Sequence, residues 1–80
     1  MPHRMWKPNV AGVHHNIVAR WSPWTFAGEL VVDGRVIESW GGLRLMGTSI
    51  KFDIEGHPAS LSSTLTDFDL LIDGKKVLHE

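Results

Sequence analysis

The chain has 80 residues, of which 42% are hydrophobic, and this is enough for one small domain with a single core. It contains no cysteine, which excludes disulfide bonds and thiolate metal sites and fits a protein of the reducing cytoplasm. Eight basic and nine acidic residues give a formal charge of -1, and the basic residues are scattered singly, so we expect no binding to nucleic acid.

The first nine residues lack an apolar run of the length of a signal peptide or a membrane span. We therefore interpret residues 1–9 as an N-terminal arm and residues 10–80 as a single domain. The absence of cysteine and the absence of such an apolar run predict a cytoplasmic protein that does not bind a membrane.

Beyond the arm, several short stretches alternate apolar and polar residues and end at glycine or proline, a pattern typical of β-strands. The first predicted strand runs from Val13 to Trp21, with Ile17 and Ala19 on the same face as Trp21. Ser22-Pro23 ends it, because proline cannot donate to a strand ladder. The further predicted strands are residues 26–32, 35–40, 43–46, 50–54, 59–63, 68–72 and 75–79.

Two Asp-Gly pairs separate neighbouring strands of this set. Asp33-Gly34 and Asp73-Gly74 each lie between two apolar stretches. This arrangement is a strong hairpin signal, because a two-residue type I′ turn needs positive φ at both central positions. We predict a tight β-hairpin at each pair.

Aligning the two Asp-Gly pairs places residues 30–37 over residues 70–77, with apolar residues matched and a basic residue directly after each turn. The alignment predicts that one hairpin occurs twice, although any two Asp-Gly hairpins share some of these features. The predicted fold is therefore all-β: an antiparallel β-sandwich of about eight short strands with an internal two-fold hairpin repeat. A helix over Leu61 to Leu71 is the alternative for that segment, since Leu61, Leu65 and Phe68 also match helical spacing.

Several short motifs in this chain also occur together in one known family. They are His15-x-Ile17, Gly28-x-Leu30-x-Val32-Asp33-Gly34, Trp40 at the end of the return strand, and Leu70-x-Ile72-Asp73-Gly74-Lys75. Over residues 15–77 the chain resembles the Fas apoptotic inhibitory molecule family. The resemblance implies an eight-stranded antiparallel sandwich and a non-enzymatic regulator that acts through protein contacts. Animal members of the family carry two such domains, whereas only one fits here.

Four tryptophans are a large number for a chain of 80 residues. We predict Trp21 and Trp40 in the core, which needs large apolar side chains in the absence of disulfides. Trp6 and Trp24 lie beside prolines in irregular segments and are the candidate partner contacts. An exposed indole provides a rigid apolar surface for a protein or for a sugar ring.

Other polar residues predict no catalytic or metal site. His14 and His15 are neighbours in a predicted strand and point to opposite faces, so they do not share a metal ion. We expect His15 at the start of a strand, with its ring hydrogen-bonded to backbone. The acidic and serine residues that a hydrolase would need show no recognisable order, namely Asp53, Asp67, Asp69, Asp73, Ser60, Ser62 and Ser63.

The sequence therefore predicts a binding or structural module without a cofactor, not an enzyme. The expected partner is a protein, or a second copy that adds to an edge strand of the sandwich. The alternative is a carbohydrate-binding module that uses exposed tryptophans. A small hydrolase using Asp or His is the third class.

Overall fold

The computed structural model describes residues 2–25, 27–41, 49–63 and 67–80, and within these ranges it contains ten β-strands and no helix. All strand pairs are antiparallel, as expected from short alternating stretches joined by tight turns. The strands are β1 (His3–Trp6), β2 (Asn9–Val10), β3 (Val13–His14), β4 (Ile17–Trp21), β5 (Gly28–Val32), β6 (Arg35–Trp40), β7 (Ser49–Ile54), β8 (His57–Ser63), β9 (Phe68–Ile72) and β10 (Lys75–Val77).

Two four-stranded sheets form the body of the protein. The first has the order β1-β4-β5-β6, and the second has the order β10-β9-β8-β7. The strands β2 and β3 form a separate two-stranded hairpin between β1 and β4 in the chain. Each sheet is therefore built from one half of the chain, which confirms the predicted antiparallel β-sandwich.

The inner faces of the two sheets share one hydrophobic core. Trp21 of the first sheet lies with its ring centroid 4.8 Å from that of Phe68 in the second sheet, and Trp40 lies 5.4 Å from the same ring. Val32 and Ile72 are half-buried against this core. The buried core residues are Trp6, Val10, Ile17, Ala19, Trp21, Leu30, Trp40, Ile54, Ala59, Leu61, Phe68 and Leu70.

Both predicted Asp-Gly turns are present. Asp33 and Gly34 have φ values of 51° and 81°, and Asp73 and Gly74 have values of 54° and 76°. Positive φ at both central positions is the signature of the two-residue type I′ turn that suits a right-twisted hairpin.

The two hairpins have the same register relative to the preceding strand. Val32 pairs with Ile17 and with Arg35, while Ile72 pairs with Ala59 and with Lys75. The turn aspartates also make equivalent backbone bonds. The Asp33 N–H donates to the O of Asn16, which precedes Ile17, at 2.7 Å, and the Asp73 N–H donates to the O of Pro58, which precedes Ala59, at 2.9 Å.

The segment predicted as an N-terminal arm is part of the first sheet, and that prediction is wrong. Strand β1 pairs with β4 over four residues, from His3 opposite Arg20 to Trp6 opposite Ile17. Trp6 is 1% exposed and belongs to the core. The boundary proposed after residue 9 therefore does not separate an arm from a domain.

The first predicted strand is divided, because His15 and Asn16 separate β3 from β4. The alternative helix over residues 61–71 is wrong, because residues 57–63 and 68–72 are strands. The last strand ends at Val77 instead of His79. The predicted strand at residues 43–46 and the predicted position of Phe26 lie outside the described residues.

Strand β1 of the first sheet is bonded to residues of the second half of the chain. The Arg4 guanidinium of β1 forms a bidentate ion pair with Asp67, which directly precedes β9 of the second sheet. Burial alone would raise the pKa of Asp67, but hydrogen bonds from Arg4 and from the Phe68 N–H outweigh it and hold that pKa below its usual value. The Glu80 N–H also donates to Met5 O at 2.8 Å. These contacts fasten the first strand to the second half of the chain.

Candidate binding surface

The four tryptophans divide into three buried side chains and one exposed side chain. Trp21 and Trp40 are buried, as predicted. Trp6 is also buried, so its proposed role as a partner contact is wrong: opposite Ile17 it faces the inner side of the first sheet. Trp24 is 90% exposed. It keeps the accessibility that a partner contact needs, and whether it touches a partner stays a prediction.

Trp24 lies at the tip of a hydrogen-bonded loop between β4 and β5. Ser22 Oγ accepts hydrogen bonds from the N–H groups of Trp24 at 3.2 Å and Thr25 at 3.4 Å, and the Ser22 N–H donates to Ala27 O at 2.8 Å. A serine in this position supplies the acceptors that the turn backbone lacks. These bonds fix the backbone of Trp24, whose indole faces solvent.

The outer face of the first sheet carries an apolar row that crosses all four strands. Met5 pairs with Val18, Val18 with Val31, and Val31 with Val36. Val31 is only 7% exposed although it lies outside the core cluster. Val36, on the edge strand β6, is 52% exposed. We call these four residues the outer row.

A polar row lies next to the outer row on the same face. His3 pairs with Arg20, Arg20 with Glu29, and Glu29 with Ser39. Arg20 Nη2 is 3.6 Å from Glu29 Oε1, and both side chains are more than a third exposed. The face thus combines an apolar row with one positive and one negative charge on adjacent strands.

The second sheet has a polar row at the equivalent register. Lys51 pairs with Ser60, Ser60 with Leu71, and Leu71 with Lys76. Three of these four positions are polar, whereas all four are apolar in the first sheet. The two outer faces therefore differ in chemistry although the strand pairing is the same.

A shallow groove of about 480 Å³ crosses this polar outer face. Its lining residues are Lys51, Phe52, Asp53, Pro58, Ala59, Ser60, Leu71 and Gly74.

A histidine contacts each turn aspartate at one end of the sandwich. His15 Nδ1 is 2.6 Å from Asp33 Oδ2, and His57 Nδ1 is 2.8 Å from Asp73 Oδ2. The expectation that the His15 ring bonds to backbone is therefore wrong, because its partner is the Asp33 carboxylate. His15 Nε2 also lies 3.2 Å from Glu55 Oε1 in the turn after β7, without the alignment of a hydrogen bond.

The two histidine-aspartate pairs differ at one backbone position. The Asn16 N–H donates to Asp33 Oδ1 at 2.8 Å, whereas the equivalent position in the second half is Pro58, which has no N–H. The bond from Asn16, with that from His15, lowers the pKa of Asp33 below its usual value. The described residues contain no group of three or more His, Asp or Glu side chains placed to hold a metal ion.

Three of the four aspartates considered for a hydrolase are held by different basic partners. Asp67 is paired with Arg4, and Asp69 Oδ1 lies 3.5 Å from Lys76 Nζ. Asp73 is bonded to His57. The serines at 60, 62 and 63 lie along β8. Asp53 and Ser60 line the same groove, Ser62 is paired with Asp69, and Asp67 and Asp73 flank β9.

No stretch of the described residues forms a helix with the length and apolar character needed to cross a bilayer. No known protein family, curated protein or solved structure matches this chain.

Proposed function

We propose that the chain is a non-enzymatic protein-binding β-sandwich module that contacts its partner through the outer face of the first sheet. The observation that carries this proposal is the outer row, Met5-Val18-Val31-Val36, which spans all four strands. The row ends at the exposed side chain of Val36, on a sheet face that none of the described strands covers, and such a face offers a partner an apolar contact.

The second sheet supplies an internal reference for this argument. Its equivalent row contains two lysines and a serine, so the strand pairing itself does not require apolar residues at these positions. An exposed apolar side chain such as that of Val36 gains little stability from burial within the chain. The presence of the apolar row on one face only favours a role in binding.

The face is a better binding surface than the edge of β6. Val31 pairs with Val36 and Leu30 with Glu38, so Ile37 is an extra residue that forms a β-bulge. A bulge interrupts the regular series of backbone donors and acceptors and twists the edge away from an incoming strand. At the β6 edge we therefore replace strand addition, the mechanism expected from the sequence, by contact through side chains of the outer face.

Three further proposals accompany this function. The resemblance to the Fas apoptotic inhibitory molecule family supports a regulator that acts by protein contact, and the absence of cysteine supports the cytoplasm as its compartment. The shared register of the two Asp-Gly hairpins supports an internal repeat in which each half of the chain forms one sheet.

The proposal is tested by capture of partners on immobilised protein from the native extract, with wild type compared to Val36→Lys. Lysine on an exposed edge position is compatible with folding, but it places a charge in the outer row. The matched control is Ser49→Lys, which adds the same charge to the edge strand and outer face of the second sheet. We expect Val36→Lys to lose a protein that Ser49→Lys retains. Equal capture by the two variants contradicts the proposal.

The exposure of Trp24 favours a second candidate, a carbohydrate-binding module, because a solvent-facing indole stacks on sugar rings. With Trp6 buried, the platform would rest on Trp24 without a second tryptophan. Titration of tryptophan fluorescence with a panel of oligosaccharides separates the two functions. A saturable shift that Trp24→Ala abolishes supports the sugar, and the protein-binding proposal predicts no shift.

A further inference from the structure

The partner of the outer face follows from the symmetry of its charges, and this step rests on the proposed function. We infer that a second copy of the chain packs on this face, outer row against outer row. The two-fold axis runs along the strands, midway between β4 and β5. The result is an isologous dimer, in which both copies use the same surface.

The outer row matches itself under this axis. Rotation places β4 of one copy over β5 of the other, so that Val18 faces Val31 of the second copy and Val31 faces its Val18. The outer strands exchange in the same way, which brings Met5 over Val36 of the second copy. Apolar side chains therefore meet apolar side chains along the whole row.

The neighbouring polar row becomes complementary in charge under the same axis. Arg20 and Glu29 pair across β4 and β5, so the rotation places Arg20 of each copy over Glu29 of the other. Both side chains are more than a third exposed and lie 3.6 Å apart within one copy. Two-fold packing allows each charge to contact two opposite charges.

The other two-fold orientation places like charges together. An axis along the outer row superposes the row on itself but turns Glu29 towards the turn that follows β5 in the second copy, where Asp33 lies. Two carboxylates in an interface repel each other. The charge arrangement thus selects the axis along the strands.

The second sheet excludes the same packing. An axis between β8 and β9 would place Lys51 of one copy over Lys76 of the other, because these residues occupy the two outer strands of the equivalent row. The lysines would repel, and Ser62 would face Asp69 without an opposite charge. Of the two sheets, the first alone carries the self-complementary pattern in its described strands.

The area of the face sets the strength of the association. Four strands about 4.8 Å apart and five residues long cover roughly 300 Å² per copy, well below the roughly 800 Å² per partner of a standard stable interface. We expect a weak, reversible dimer with a Kd on the order of 100 μM.

The test is sedimentation equilibrium of the wild type, Arg20→Glu, Glu29→Arg and their equimolar mixture, at concentrations up to about 1 mM. Each single variant places two like charges over each other and weakens self-association at least about tenfold. In the mixture, the two acidic side chains of the Arg20→Glu variant face the two basic side chains of the Glu29→Arg variant, so we expect the dimer to reappear as a heterodimer. Asp69→Arg, at the register counterpart of Glu29, is the matched control and should dimerise like wild type.

Three results overturn the inference: a wild type that stays monomeric, single variants that dimerise like wild type, or a mixture that stays monomeric. A monomeric wild type from which Val36→Lys removes a captured protein assigns the face to a different protein and leaves the proposed function standing. A monomeric wild type with equal capture by Val36→Lys and Ser49→Lys overturns both.

Discussion

Gly28 is the position where one added methyl group has the largest expected effect on stability. It lies in β5 between Trp21 of β4 and Trp40 of β6. A Cβ atom there would lie 2.2 Å from the backbone oxygen of Arg20 and 2.8 Å from the Trp40 ring. The backbone oxygen is held by the sheet, so Gly28→Ala must separate two paired strands and also displace Trp40.

The magnitude follows from these two contacts. Overpacking that shifts backbone costs about 1–3 kcal/mol, and disturbing the packing of Trp40 on Phe68, at 5.4 Å, costs roughly 0.5–1.5 kcal/mol more. A domain of this size without disulfides has a free energy of unfolding of only about 3–5 kcal/mol. We therefore expect Gly28→Ala to lose most of its stability.

Urea unfolding followed by tryptophan fluorescence measures the loss. Gly41→Ala is the matched control, because a Cβ atom at Gly41 meets nothing within 4 Å and its φ lies outside the left-handed region. We expect the control to stay within about 0.5 kcal/mol of wild type. A Gly28→Ala variant as stable as the control would refute the close approach of strands at this glycine.

Three further changes test contacts elsewhere in the fold. Asp33→Asn keeps the positive-φ turn but loses the carboxylate bond to His15, and should cost about 1 kcal/mol in urea unfolding at neutral pH. Because the pKa of Asp33 is lowered from 3.8, its contribution is present above that value and is lost as the pH falls through the lowered pKa. The variant should therefore lose less stability on acidification than wild type. The same loss of unfolding free energy in both proteins as the pH falls would contradict this. Arg4→Gln removes the ion pair with Asp67 and should lower the free energy of unfolding by about 1–2 kcal/mol. The difference between variant and wild type should be smaller at high salt. Equal stability of the two proteins in low salt would show that the ion pair does not stabilise the fold. Leu70→Ala leaves a cavity at a fully buried site and should lower the free energy of unfolding, measured by urea titration, by about 2–5 kcal/mol. A loss under about 1 kcal/mol would place Leu70 outside the core.

The hairpins and their inward faces could be predicted because they depend on local sequence. The alternation at Ile17, Ala19 and Trp21 correctly identified a buried face, since successive side chains of a strand point to opposite sides. The Asp-Gly turns were predictable for a similar reason: the positive φ that they need is a property of the two residues themselves.

The error at Trp6 has a long-range cause. Strand β1 is only four residues long, and one of its two inward residues is Arg4. No alternation of apolar and polar residues therefore marks it as a strand. That arginine is tolerated because Asp67, 63 residues away in the chain, pairs with it. Pairing over such a distance leaves no signal in a single sequence.

The outer row was hidden for a different reason. Alternation along each strand places Val18 and Val31 on the face opposite to the inward residues, but which residues lie side by side depends on the register of three strand pairs. The bulge at Ile37 changes that register between Val36 and Glu38. The surface therefore becomes visible only when all four strands are placed.

The most direct test of this surface is a concentration series of amide chemical shifts by NMR. If the outer face of the first sheet joins two copies, the amides of Val18, Val31 and Val36 will shift progressively as the protein is concentrated to about 1 mM, while their counterparts on the second sheet stay constant. Shifts confined to the second sheet, or no shift anywhere on the first, would contradict the account.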